Sequence, residues 1–236
     1  MNLGKEFLKY ATKDKGFSKM HLEKYMNTTV PNIYGFTPQV IEERQMNVVG
    51  MDVFSRLMMD RIIFLGVPIN DYVANVIQAQ LLFLESADPN RDVQMFINSP
   101  GGSVISGLGI YDTMQYIAPE VSTICTGLAA SMGAVLLAAG EKGKRTALHH
   151  SRIMIHQPMG GMQGQVSDME ISYNLIKELQ KELYDILSKH TGKPYATIEK
   201  DSDRDNWMKA NAALEYGLVD EVILIDNNTK KKNKKS

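Results

Sequence analysis

The chain has 236 residues, of which 44% are hydrophobic and 22% charged, a composition that excludes the collagen-like, disordered and disulfide-scaffold classes. Lys and Arg total 26 against 27 Asp and Glu, but five of the lysines lie in the terminal run 230–235, so the rest of the chain is acidic. This charge distribution argues against a nucleic-acid-binding face.

The cysteine content and the apolar segments indicate which cellular compartment the protein occupies. Cys125 is the single cysteine, so an internal disulfide is excluded. The N-terminus lacks the apolar stretch of a secretory signal, and we expect a cytoplasmic protein. Residues 121–140 are uncharged over about the length of a membrane-spanning helix. Because Ser, Thr and Gly interrupt this run, we interpret it as a buried strand followed by a helix.

The elements, in chain order, are typical of an α/β protein. Residues 1–30 are rich in lysine and poorly periodic, and residues 31–38 are rich in turn formers. From Arg61 onward, short β-branched runs alternate with amphipathic segments. Strands are predicted at 61–65, 93–98, 121–126 and 151–156, and helices at 71–86, 103–118, 131–139 and 167–190. Residues 199–222 predict one or two short helices and a last strand, and residues 230–236 a solvated tail.

The predicted helix from Ser167 to His190 would be about 35 Å long, too long for one face of a domain of this size. Its apolar residues recur at helical spacing and are Ile171, Leu175, Leu179, Leu183 and Leu187. If part of the helix projects, this apolar stripe needs a partner, and we expect self-association. The alternative is a helix packed wholly on its own sheet.

Ser131 is the first candidate for chemistry. It lies among small side chains, directly after a predicted strand and at the start of a predicted helix. Such an elbow exposes the hydroxyl oxygen, and the N–H of Met132 can point at a developing oxyanion. In the simpler interpretation Ser131 only caps the helix. A nearby general base would decide between the two.

His156 is the candidate base, because it is the one histidine of five that ends a predicted apolar strand. It would lie at the carboxyl edge of the sheet, where α/β folds place their sites, and could take the serine proton. Asp201, Asp203 and Asp205 each offer a carboxylate to orient the imidazole, and their spacing does not choose among them. The turn Ser99-Pro-Gly-Gly102 lets backbone approach a substrate and matches no phosphate-binding pattern.

Longer strings connect these residues to a known family. They are Phe96–Gly102 (FINSPGG), Ile110–Met114 (IYDTM), Gly127–Gly133 (GLAASMG), Met154–Pro158 (MIHQP), Asp203–Asp205 (DRD) and Glu215–Asp220 (EYGLVD). In order and spacing, over about residues 31–225, they closely resemble the proteolytic subunits of the bacterial Clp protease (ClpP, peptidase family S14).

The resemblance implies the crotonase/ClpP-like β-α-β superhelix with a projecting handle helix. It divides the chain into an N-terminal extension and candidate propeptide (1–30), an axial segment (31–50), a Clp protease domain (51–228) and a basic tail (229–236). It also implies a serine endopeptidase that acts through an acyl-enzyme and needs no metal or other cofactor. Ser131 would be the nucleophile, His156 the base and Asp205 the orienting acid, with the N–H groups of Gly102 and Met132 as the oxyanion hole.

The family also implies partners. Its members form two stacked heptameric rings, a tetradecamer, and cut unfolded proteins that a hexameric AAA+ unfoldase such as ClpX, ClpA or ClpC threads into the chamber. The segment around Gly160 would pair with substrate as an added strand. Leu82, Phe96 and Tyr116 would line apolar pockets where loops of the ATPase dock. No nucleic-acid or membrane partner is implied.

Two other functions are compatible with parts of this sequence pattern. A crotonase-type acyl-CoA hydratase or isomerase shares the fold, but those enzymes use carboxylates, and neither glycine turn carries one. A non-catalytic ring subunit that serves as a scaffold predicts a missing member of the triad, and none is missing. The sequence therefore favours the protease.

Overall fold

The computed structural model describes residues 39–44, 47–161 and 163–223, and the chain divides into two compact units. The first unit ends at Arg56 and contains an antiparallel hairpin of β1 (Gln39–Arg44) and β2 (Asn47–Asp52), followed by the start of helix α1 (Val53–Met59). Asp52 begins this helix by accepting hydrogen bonds from the N–H groups of Phe54 and Ser55, at 3.0 and 3.1 Å.

The predicted extension, residues 1–30, and the basic tail, residues 229–236, lie outside the described residues. So does the first part of the predicted axial segment, residues 31–38. The domain boundaries at 30, 50 and 228 therefore stay predictions.

The second unit begins at Leu57 and is built on a seven-stranded sheet. Its strands are β3 (Ile62–Leu65), β4 (Val93–Ser99), β5 (Val121–Ala130), β6 (Arg145–Leu148), β7 (Arg152–Ile155), β8 (Asn206–Lys209) and β9 (Glu221–Ile223). Its further helices are α2 (Asp71–Ala87), α3 (Val104–Tyr116), α4 (Met132–Ala138), α5 (Val166–Thr191), α6 (Tyr195–Asp201) and α7 (Ala210–Tyr216).

The sheet is mostly parallel, in the order β3-β4-β5-β6-β9, and the predicted α/β class is confirmed. The successive strands β3, β4 and β5 are joined by helices α2 and α3, which gives the predicted β-α-β units. Strand β7 pairs in parallel with the end of β5, and β8 pairs antiparallel with β7. No helix among the described residues has the length and apolar composition needed to cross a membrane.

Periodicity explains why these elements form. In β4 the buried side chains alternate with less buried ones, which is the two-residue period of a strand. In α2 the buried residues lie on one face at helical spacing and are Val73, Ala74, Ile77, Leu81 and Leu84. The side chain of Asn70 begins that helix by accepting a hydrogen bond from Val73 N–H at 2.9 Å.

Strand β5 is longer than the predicted strand 121–126, because it continues through Gly127 to Ala130. Its register with β4 shifts at this point: Ile97 pairs with Cys125, but Ser99 pairs with Ala129. The side chain of Asn98 fills the bulge by accepting a hydrogen bond from Leu128 N–H at 3.1 Å. A Cβ at Gly127 would lie 2.7 Å from Asn98 Oδ1, so a larger residue would displace the Asn98 side chain that fills the bulge. Bulges of this kind turn a strand without ending it.

Helix α5 has 26 residues and only three buried side chains, Leu183, Tyr184 and Leu187, all in its C-terminal half. Ile171 and Leu175, in the N-terminal half, are 69% and 47% exposed. The expectation that part of this helix extends beyond the core is therefore confirmed, and the alternative of a fully packed helix is wrong. The helix ends at Gly192, which adopts the left-handed conformation with φ 74°.

A buried ion pair fastens the ends of two helices to β6. The guanidinium of Arg145 is bonded to both carboxylate oxygens of Asp220, at 2.8 and 2.5 Å. It also donates to the carbonyl of Ala138 at 3.1 Å and to that of His190 at 2.8 Å. Burial opposes ionisation of Asp220, but the hydrogen bonds from Arg145 outweigh it and hold the pKa of Asp220 below its usual range. The C-terminal carbonyls of α4 and α5 are satisfied in this way.

The imidazole of His190 lies beside this ion pair, 3.2 Å from Tyr111 Oη. Burial, with the positive charges of Lys189 and Arg145, lowers the pKa of His190 from 6.5 to about 4. The folded chain therefore keeps His190 neutral between these two pH values, whereas the unfolded chain takes up a proton. We expect the free energy of unfolding to fall as the pH is lowered through this interval.

His190→Gln tests this expectation. Between pH 6.5 and about 4, the free energy of unfolding should depend less steeply on pH in the variant, by the equivalent of about one proton. Urea titrations of wild type and variant at pH 7, 6, 5 and 4.5 measure this slope. Although burial opposes it, the hydrogen bonds from Arg145 lower the pKa of Asp220, and His190→Gln leaves both of these groups in place. Parallel curves for the two proteins would contradict the role assigned to His190.

Candidate active site

Ser131 lies at the junction of β5 and α4 in a conformation that non-glycine residues seldom adopt, with φ 54° and ψ −125°. Its N–H donates to Met154 O at 2.8 Å, which fixes the turn against β7. Although Ser131 occupies the N-cap position of α4, its side chain makes no capping hydrogen bond. The simpler interpretation of Ser131 as a helix cap is therefore wrong, and its hydroxyl is turned elsewhere.

The hydroxyl oxygen of Ser131 lies 2.9 Å from His156 Nε2. His156 directly follows β7, which pairs with the end of β5 in the register Ala130 to Met154. The other ring nitrogen, Nδ1, lies 2.9 Å from Asp205 Oδ1. The imidazole is well shielded, with a side-chain exposure of 11%, whereas that of Asp205 is 59%.

The structure separates the three carboxylates that spacing could not rank. Asp201 accepts a hydrogen bond from the hydroxyl of Tyr216 at 3.0 Å, and Asp203 Oδ1 lies 3.4 Å from Gln157 Nε2. Asp205 is the one that reaches His156, because β8 begins at the next residue, and Asn206 pairs with Ile155. The antiparallel register thus sets Asp205 beside His156.

The arrangement defines the tautomer of the imidazole. A carboxylate only accepts hydrogen bonds, so Nδ1 of His156 donates to Asp205 Oδ1. Nε2 then carries the lone pair, and Ser131 Oγ donates its proton to it. This is the geometry in which a serine can attack an acyl carbon while its proton moves to the imidazole.

The glycine turn lies against the same serine. A Cβ at Gly101 would lie 2.6 Å from Ala130 O, 2.8 Å from Ser131 Cβ and 2.9 Å from Met132 N, so glycine is required for this approach. Ile69 holds the turn in place: its N–H donates to Gly101 O at 2.8 Å, and its carbonyl accepts from Ser103 N–H at 2.9 Å.

Two N–H groups here are suited to bind an oxyanion. Gly102 N–H takes no part in the bridge to Ile69 and makes no hydrogen bond with the described residues. Met132 is the first residue of α4, and such a residue has no acceptor for its N–H within the helix. Met132 directly follows Ser131, and Gly102 follows Gly101, where a Cβ would lie 2.8 Å from Ser131 Cβ. Neither N–H makes a hydrogen bond with the described residues.

An apolar pocket opens beside Ser131 and His156, and the sequence did not predict it. Its walls come from α3, α4, β7 and α5, and they include Val104, Met132, Val135, Leu183, Tyr184 and Leu187. The sequence showed an apolar stripe along α5, but not that Leu183 and Leu187 of this stripe line the pocket beside Ser131.

None of the remaining predicted residues lines the pocket beside Ser131 and His156. Gly160 is exposed, and a Cβ there would lie 2.5 Å from the side chain of Ile176 on α5. Leu82 and Tyr116 are 46% and 78% exposed, on α2 and at the end of α3. Phe96 is half-buried on β4, opposite Phe64 of β3. Their roles toward substrate and ATPase stay predictions.

No group of three or more His, Cys, Asp or Glu side chains within 39–44, 47–161 and 163–223 is arranged to hold a metal ion. Cys125 is buried in β5, and burial raises the pKa of its thiol. Ser131, His156 and Asp205 are the side chains that the structure joins into one hydrogen-bonded line.

Comparisons with known proteins agree on one family. Residues 43–226 match the family model described as Clp protease. A Porphyromonas gingivalis protein named ATP-dependent Clp protease proteolytic subunit is 62% identical over 92% of this chain and 97% of its own. Proteins of the same name are 58% identical in Bacteroides fragilis and 57% identical in Bacteroides thetaiotaomicron, each over 93% of this chain and 98% of its own.

Substitution of the three aspartates tests the assignment of the acid. Asp205→Asn should slow phosphonylation of Ser131 by a fluorophosphonate by about 1,000-fold or more, because the amide favours the wrong imidazole tautomer. Asp201→Asn and Asp203→Asn are matched controls and should stay within about threefold of wild type, since neither carboxylate contacts His156. The rates are read by intact-mass spectrometry. A normal rate for Asp205→Asn, with a slow rate for either control, would move the role to that residue.

Proposed function

Because this chain belongs to the Clp protease family, we propose that it is a serine endopeptidase that cuts peptide bonds through an acyl-enzyme on Ser131. Its relatives are the proteolytic subunits of ATP-dependent Clp proteases, and this chain is a peptidase subunit of the same kind. The observation that carries the serine type is the continuous line from Ser131 Oγ through His156 to Asp205, with both contacts at 2.9 Å.

The mechanism follows from the positions of these groups. Ser131 Oγ attacks the carbonyl carbon of the substrate while His156 Nε2 takes its proton, and Asp205 stabilises the imidazolium that forms. The N–H groups of Gly102 and Met132 bind the oxyanion. His156 returns the proton to the departing amine, and water then releases the acyl group from Ser131 by the same steps in reverse order.

The proposed assembly is two stacked heptameric rings, and a partner ATPase of the AAA+ class feeds it unfolded proteins. The names of the relatives imply an ATPase. Support for self-association comes from the exposed apolar side chains of the N-terminal half of α5, which include Val166, Ile171 and Leu175. The cytoplasmic location stays a prediction.

No observation favours the acyl-CoA hydratase or isomerase. The carboxylate of the site, Asp205, is bonded to an imidazole, whereas an enolate chemistry needs one that faces the substrate. A scaffold does not require the hydrogen bonds that join Ser131, His156 and Asp205, so it gives no reason for them. Both alternatives are tested together with the proposal.

Ser131→Ala should abolish peptide cleavage and fluorophosphonate labelling and leave the assembly intact. Wild type is expected to gain the mass of one adduct per chain, because only an activated serine reacts with this probe. Native mass spectrometry of both proteins measures the oligomer. An assembled wild-type ring that takes no adduct would support the scaffold function, and loss of assembly in the variant would contradict a purely chemical role.

The apolar pocket predicts the residue on the acyl side of the cleaved bond. Fluorogenic peptides with Leu, Met or Phe at that position should be cleaved with a kcat/KM at least about 100-fold above those with Asp or Lys, since a charge buried without a partner is costly. Val104→Glu places a carboxylate on the pocket wall. It should reduce the ratio of kcat/KM between the Leu and the Lys peptide. If the wild-type enzyme cleaved all five peptides with equal kcat/KM, the pocket would not bind this side chain.

A further inference from the structure

A chain of hydrogen bonds runs behind the candidate triad and starts at the residue after the base. Gln157 Nε2 donates to the carbonyl of Asp203 at 2.7 Å, with Asp203 Oδ1 at 3.4 Å. The backbone N–H of Gln157 donates to Ser202 O at 2.6 Å. A single residue therefore binds two successive carbonyls of the loop that carries Asp205.

The other end of this side chain is held by helix α5. Gln157 Oε1 accepts a hydrogen bond from Gln180 Nε2 at 3.2 Å. The same amide nitrogen of Gln180 lies 3.1 Å from the hydroxyl of Tyr184, which lines the apolar pocket, and Gln180 Oε1 accepts from Lys177 at 2.9 Å. Both groups of the Gln157 amide are thus used, one toward the loop and one toward the helix.

The loop needs such a support because Asp205 has few contacts of its own. Its side chain is 59% exposed, and its one hydrogen bond to the described residues is the bond to His156. An exposed carboxylate with one hydrogen bond keeps its direction only if its backbone is fixed. On the C-terminal side, pairing of β8 with β7 fixes that backbone. On the N-terminal side of Asp205, the side chain of Gln157 donates a hydrogen bond to the loop, at the carbonyl of Asp203.

We propose that Gln157 is a positioning residue that fixes the loop 202–205 and so aims Asp205 at His156. The proposal rests on the proposed serine peptidase function. It requires an amide, because the side chain must donate to the carbonyl of Asp203 and accept from Gln180 at the same time. A carboxylate at this position would accept from Gln180 but would face the carbonyl and carboxylate oxygens of Asp203.

The variants Gln157→Met and Gln157→Glu separate these requirements. Methionine keeps the volume and loses both hydrogen bonds, and glutamate loses only the donor. We expect kcat for a short fluorogenic peptide to fall about 10- to 100-fold in both, with KM within about twofold, because misplacement of a catalytic group costs this much in rate. Gln94→Met is the control, since Gln94 is exposed on β4 and makes no side-chain hydrogen bond with the described residues.

A second background distinguishes positioning from a general loss of structure. If Gln157 acts only by aiming Asp205, its substitution should cost little once that carboxylate is gone. In the Asp205→Asn background, Gln157→Met should therefore lower kcat by no more than about twofold. A further loss of about tenfold or more in that background would show that Gln157 does not act through Asp205.

A second position keeps the test decisive if Gln157→Met does not assemble. Gln180→Met removes the anchor on α5 and should lower kcat about threefold. The double variant Gln157→Met/Gln180→Met should be no slower than Gln157→Met, because the two residues act as one unit. An unchanged kcat in the Gln157 variants, or additive effects of Gln157→Met and Gln180→Met, would overturn the proposal. Its failure differs from failure of the proposed function, in which wild-type Ser131 itself would not react with a fluorophosphonate.

Discussion

The site depends on the change of partner along strand β5. Its first half pairs with β6 from Thr123 to Cys125, and its last residues pair with β7 from Leu128 to Ala130. The bulge at Gly127 turns the strand between the two, so that it ends at β7, which carries His156. Strand β7 then pairs with β8, which follows Asp205. Two backbone ladders thus determine how far apart three side chains lie, and a slip by one residue would turn each side chain to the opposite face of the sheet.

The same turn places a strained residue where a reactive hydroxyl is needed. A positive φ at a residue such as Ser131 costs about 1 to 3 kcal/mol, and the surrounding contacts must offset this cost. All seven residues of α4 are buried, and Ser131 N–H is bonded to β7. Small residues make the packing close: a Cβ at Gly133 would lie 3.0 Å from Ser99 O. Packing of α4 therefore holds the backbone that keeps the Ser131 hydroxyl away from a capping position and turned toward His156.

Local pattern made Ser131 and His156 candidates for the site, but it did not choose the third member of the proposed triad. Ser131 and His156 stand at strand ends that hydrophobic periodicity reveals. The choice of Asp205 depends on the register of β8 against β7, a pairing between residues about fifty positions apart. Strand β6 was not predicted, because it begins with a charged residue, Arg145. Arg145 can be buried because it donates hydrogen bonds to Asp220 and to two helix ends, and two of these partners, Asp220 and His190, are distant from it in sequence. The end of β5 was missed because Gly127 normally marks the end of a strand.

Helix α5 contributes to three features of the molecule: an exposed apolar surface, the pocket wall and the hydrogen-bond network behind the triad. Its N-terminal half leaves Ile171 and Leu175 exposed. Its C-terminal half supplies Leu183 and Tyr184 to the pocket and Gln180 to the network behind the triad. One continuous helix therefore carries the exposed apolar side chains, part of the pocket wall and the residue that holds Gln157. The face that leaves the core and the face that supports the site differ only by their position along the same apolar stripe.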